Sequence, residues 1–221
     1  MLFDLRSRGR RRAVQVIYFG LALVMVGGLL LVGVGAGNGF GGLLNAFTNN
    51  GSSSGQNQVI SAALTAAQKA VKAQPDSAAA WASLLQAQYT VAGEGSNFDS
   101  STSTYTASGK RELGDVTDSW RRYVSLTSSP DANNAIYAAR AYAQLSDWSG
   151  EASAWEYYTL AQPTSPKGFE CLAFSAYAAK QTRKASLAAT KAVSLSPKLE
   201  QLEVKDLIQE SKTSSSLAQE C

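Results

Sequence analysis

The sequence predicts an all-α protein: one N-terminal membrane-spanning helix followed by an α-solenoid of antiparallel helix pairs. Three observations carry that expectation. Residues 13–36 form an apolar stretch without a charged side chain. From Val59 onward apolar residues recur every three or four positions, the period of a helix with one buried face. Prolines at 75, 130 and 197 cut this pattern into short segments. Paired helices of that length bury too little apolar surface to fold singly, so they stack on their neighbours.

The apolar stretch comes first. As a helix, 24 residues extend roughly 36 Å at 1.5 Å per residue, against a bilayer core of about 30 Å. Gln15 is its one strongly polar side chain. A cleaved signal peptide would have a shorter apolar core and an A-x-A site, whereas a Gly-rich run follows here. The segment 13–37 is therefore read as an uncleaved signal anchor and implies contact with the lipid bilayer. The net charge of +3 belongs to the residues before it. Arg6, Arg8, Arg10, Arg11 and Arg12 oppose Asp4 alone, and the remaining chain has 15 basic against 16 acidic groups. These arginines set topology: residues 1–12 form a cytoplasmic basic tail, and the rest lies outside the cytoplasm, at a plasma (inner) membrane. A near-neutral body gives no footprint for nucleic acid. Gly33, Gly37 and Gly41 have the spacing that lets spans approach closely, so association through the anchor is one reading and a loosened bilayer exit is the other.

Residues 38–58 are rich in Gly, Asn and Ser and read as a flexible linker. The helical domain, 59–211, then contains expected helices at 59–73, 77–91, 110–126, 132–145, 151–161, 168–180, 182–195 and 199–210. Residues 92–109, rich in Gly, Ser and Thr, read as an insertion loop between the two helices of one pair. Residues 212–221 read as a disordered tail.

Within this pattern Ala185, Ala192 and Pro197 are spaced by seven and five, and Ala63, Ala70 and Pro75 repeat the spacing. Leu172-Ala173 is a large-small pair, and Trp81 and Leu84 follow the first proline. On these residues the chain resembles the tetratricopeptide repeat family over residues 59–197. The register around Asp147, Trp148, Ala152 and Ala154 stays open by one to three residues. The resemblance implies that the first helix of each pair lines a concave, peptide-binding face. Carried onto this sequence, it places Gln86, Tyr89, Tyr137, Arg140, Gln144, Glu170, Phe174 and Tyr177 on that face. Large rigid aromatics with amide and guanidinium groups suit peptide recognition. The layout is also similar to that of the single-pass, repeat-bearing ancillary subunit of the Sec translocon.

Composition narrows the chemistry. The chain has no histidine, which excludes His-dependent triads and His-ligated metals. No G-x-S-x-G or phosphate-loop motif occurs. Cys171 is read as a small buried hydrophobe, and Cys221 sits in a Ser-rich tail. A bridge between chains or between these two cysteines is the alternative. Glu200, Glu203 and Asp206 read as a solvated helix face. Lys180, Arg183, Lys184 and Lys191 form a basic patch: ordinary surface charge, or a contact for an acidic partner segment or anionic head groups. The expectation is a non-enzymatic module without cofactor or metal. It binds protein partners at the membrane as a scaffold or chaperone-like adaptor. The alternative is an accessory subunit held in a larger complex by its span.

Overall fold

The computed structural model describes residues 53–221. The basic tail, the anchor at 13–37 and most of the linker lie outside the described residues. No helix among those described is long and apolar enough to cross a membrane.

Nine helices and a small hairpin make up the described chain. In order they are α1 (Ser53–Ala73), α2 (Ala78–Ala92), β1 (Phe98–Asp99), β2 (Thr104–Tyr105), α3 (Ala107–Leu126), α4 (Ala132–Gln144), α5 (Trp148–Ala161), α6 (Pro166–Ala178), α7 (Thr182–Leu195), α8 (Gln201–Ser211) and α9 (Ser216–Gln219). The expected helices from 59 to 210 are all present, with ends moved by up to six residues. Helices α2 and α3, α4 and α5, and α6 and α7 pack as consecutive pairs, and each pair packs on the next.

Local chemistry starts these helices. Side chains of Ser77, Thr106, Asp131, Asp147 and Ser165 each accept a backbone N–H from the first turn of the helix that follows. Each such cap is worth about 1 kcal/mol. Pro166 starts α6, where its fixed φ fits and no N–H is needed.

The turns within the second and third pairs are the same object. Ser146 and Lys180 both take positive φ, 58° and 60°. The next residue then bonds back to the helix, from Asp147 N to Tyr142 O at 2.9 Å and from Gln181 N to Ala176 O at 2.8 Å. These are Schellman-type endings. Every position in one turn lies 34 residues from its counterpart, and so do the caps Asp131 and Ser165.

The main core runs through α2 to α9 and is dominated by alanine, with Leu85, Leu113, Val116, Trp120, Trp155 and Phe174 as its large members. Small side chains let helix axes come close, so a few aromatics fill the remaining space. Between α2 and α3, buried Ser119 donates to Gln88 Oε1 at 2.6 Å. Helix α1 adds a satellite cluster, in which Leu64, Ala67 and Val71 meet Trp81, Leu84 and Ala87 of α2. Ala67 is the alanine buried there, whereas Ala63 is half-buried and Ala70 is exposed.

Three expectations need correction. The insertion 92–109 is not a plain loop. It holds a 3-10 turn at Gly95–Asn97 and an antiparallel β1–β2 hairpin with Phe98 opposite Tyr105. The Thr106 hydroxyl secures it by donating to the carbonyl oxygens of Ser96 and Asn97. Gly109 is required beneath it, because a Cβ there would strike the Asn97 carbonyl. The stretch 212–221 is no free tail either: it forms α9, which packs on α6, α4 and α8 and buries Ala218. Finally, Cys171 is not a free buried thiol, since it is disulfide-bonded to Cys221.

Candidate functional site

The first helices of the pairs, α2, α4 and α6, carry all eight expected groove residues. The structure separates these into two groups.

Gln86, Tyr89, Tyr137, Arg140 and Gln144 belong to the open part. Tyr137, Arg140 and Gln144 fall three and four residues apart on α4, so they share a face. The rings of Tyr89 and Tyr137 meet across α2 and α4 with centroids 4.9 Å apart, tilted by 36°. One turn away, Gln86 Nε2 donates to Asn134 Oδ1 at 2.8 Å. Both tyrosines are half-buried: one edge rests on the core and the other faces solvent. Arg140 is exposed.

The hairpin adds residues that the sequence did not suggest. Tyr105 of β2 packs edge-on to Phe98, with centroids 5.2 Å apart at 72°. Its phenol is pushed up to about 12, first by burial and then by the adjacent Tyr89 hydroxyl, with Arg140 partly offsetting both. Tyr105 therefore stays a neutral hydrogen-bond donor across the ordinary pH range. The surface is an amphipathic tyrosine cluster with one guanidinium beside it. It can grip apolar and carbonyl-bearing groups of a peptide.

Glu170, Phe174 and Tyr177 form the second group, and α6 does not present them all. Phe174 is 2% exposed, and Lys167 Nζ lies 5.7 Å from its ring centre. Glu170 is also buried and faces Lys167 Nζ at 3.6 Å. Both are therefore removed from the contact surface. Helices α8 and α9 both pack on α6, and the Cys171–Cys221 bond fastens the C-terminal segment there. Tyr177 remains half-buried, with Lys212 Nζ 5.9 Å from its ring centre.

The basic patch is partly engaged. Lys184 pairs with Glu156 of α5 at 2.7 Å, while Lys180, Arg183 and Lys191 are exposed. Glu200, Glu203 and Asp206 are exposed, as a solvated face requires. No cluster of three or more acidic, cysteine or histidine side chains among the described residues has metal-binding geometry. One titratable group is deeply enclosed: Glu151 has no exposed surface, accepts from Trp155 Nε1 at 3.3 Å, and leaves Oε2 without a partner. Burial pushes its carboxyl up to about 8, with the Trp155 bond opposing.

Compared with known protein families, with curated proteins and with solved structures, the chain finds no match.

Proposed function

We propose that this chain is a membrane-anchored interaction module that holds a protein partner at the membrane surface as a scaffold or chaperone-like adaptor. The observation that carries the reading is the half-exposed cluster of Tyr89, Tyr137 and Tyr105 beside Arg140. Such groups bury much area at little entropic cost, as recognition surfaces do. The 34-residue recurrence of caps and turns supports a tetratricopeptide-like solenoid in which α2 and α4 carry this face.

Two independent features support the proposed location. The charge-free segment 13–37, flanked by Arg6 to Arg12, favours a single span with a cytoplasmic N-terminus. The disulfide favours an oxidising compartment for the helical unit, since thiols inside the cytosol are kept reduced.

The test is photo-crosslinking of the full-length chain in its own membranes from a probe at position 137, with identification of the captured proteins. The expected result is a set of captured proteins lost from both Tyr89→Ala and Arg140→Ala chains. Capture unchanged by both substitutions sinks the tyrosine-face reading. One stoichiometric partner that survives them, but dissociates when the span is exchanged, would make the chain a fixed accessory subunit.

A further inference from the structure

A second surface, formed by other residues, carries unpartnered apolar area. Leu160 of α5 and Leu187 of α7 are 74% and 67% exposed. Both line one cleft of about 750 Å³ between α5, α6 and the start of α7. Buried Leu172 and half-buried Phe169 of α6 contribute further apolar lining. Two exposed leucines converging on one cleft differ from singly scattered ones, which need no explanation.

The edge of this cleft is positive. Arg183 and Lys184 line it, and Glu156 is the one carboxylate among its lining residues. Glu156 is already held by Lys184. Arg183 makes no ion pair among the described residues. Helix α7 carries Arg183, Lys184 and Lys191 and no carboxylate at all, and Lys180 stands just before it.

We propose that this cleft docks a helical segment of a protein partner, with a row of large apolar side chains flanked by acidic ones. The cleft is open to solvent, whereas small-ligand sites normally enclose most of their ligand. A helix offers apolar anchors at i, i+3, i+4 and i+7, which suits a channel lined by leucines. Its carboxylates would meet Arg183, while a basic segment would be repelled. The surface does not include the tyrosine cluster, so it stands or falls by itself.

The experiment uses the full chain in phosphatidylcholine nanodiscs. The probe is a fluorescein-labelled helical peptide with leucines at i, i+3, i+4 and i+7 and glutamates between them. Fluorescence anisotropy should show saturable binding. Leu187→Asp and Arg183→Glu, both at exposed positions, should each weaken it by about tenfold. Tyr137→Ala should leave it unchanged, which separates this result from the fate of the tyrosine face. The proposal is overturned by the absence of saturable binding, by equal binding of a peptide with lysines for glutamates, or by indifference to Leu187→Asp. Palmitate that binds while the peptide does not would assign the cleft to an anionic amphiphile. Sedimentation showing self-association that Leu187→Asp abolishes would assign it to a second copy of the chain. Either result overturns the proposal.

Discussion

Glu151 occupies in α5 the place that Ala185 occupies in α7. Each donates its N–H to the residue that opens its helix, Asp147 or Gln181, at 3.0 Å, and each is fully buried. The two are 34 residues apart, so one repeat places a carboxyl where the next places a methyl. The folded chain holds the Glu151 proton up to about pH 8, whereas the unfolded chain releases it near 4.5. Between those values the native state binds the extra proton, so stability is complete below pH 4.5 and falls as pH rises through 8. The slope is about 1.4 kcal/mol per pH unit for one group. Glu151→Gln should remove most of that fall in a Tm series from pH 5 to 9. An unchanged slope would place the titration elsewhere. Glu112, raised mainly by burial, contributes in the same direction and would remain.

Loss of the Cys171–Cys221 bond should be costly. It closes a loop of about 50 residues, for which chain entropy gives about 4 kcal/mol. Cys221→Ala should lower Tm, and reductant should lower the wild-type Tm to match. Proteolysis of the reduced protein should begin between α8 and α9. Equal Tm values in both redox states would show that the packing of α9 alone holds the segment.

Gly109→Ala tests the hairpin. The added Cβ would meet the Asn97 carbonyl, and overpacking of this kind costs about 1–3 kcal/mol. The hairpin should lift from the start of α3 and become protease-sensitive across residues 95–106. The Tyr105 phenol would then lose its burial and titrate closer to its ordinary value of 10. An intact, protected hairpin would mean that the backbone absorbs the methyl group.

Phe174→Ala and Tyr137→Ala should separate packing from recognition. Phe174 lies in the core, so truncation should cost about 3–5 kcal/mol of stability. Tyr137 is half-exposed, and its loss should reduce partner capture while leaving Tm within a few degrees. A thermally silent Phe174→Ala would contradict its place in the core.

The helices from α1 to α8 were legible because periodicity, prolines and caps act over a few residues. The features that escaped depend on distant partners. The hairpin has two residues per strand, too few for alternation, and rests on Thr106 bonding to Ser96 and Asn97. Helix α9 is four residues long, shorter than any segment that nucleates unaided. It exists through burial of Ala218 and the bond at Cys221. The site followed suit. Gln86, Tyr89, Tyr137 and Arg140 are placed on one face by the family resemblance, and of these Tyr89 and Tyr137 meet directly. Tyr105, Phe98 and Asn134 were missed because two of them belong to the hairpin and the third caps an amide across helices. Glu170 and Phe174 are buried, and nothing local in the sequence of α6 distinguishes them from exposed positions. The uncertain register near Asp147 has a local cause: Glu151 stands where Ala185 stands 34 residues later.

The bond between Cys171 and Cys221 also imposes an order on biogenesis. Helix α6 is synthesised fifty residues before its covalent partner, so α7, α8 and α9 must all reach the same side of any membrane before it can close. Until then Cys171 is a thiol waiting in whatever compartment receives it. This sequence contains two cysteines and hence one intramolecular pairing, so no wrong bridge within the chain has to be undone. Closure needs an oxidant, and the oxidised form reports that everything from α6 to Cys221 has been delivered together.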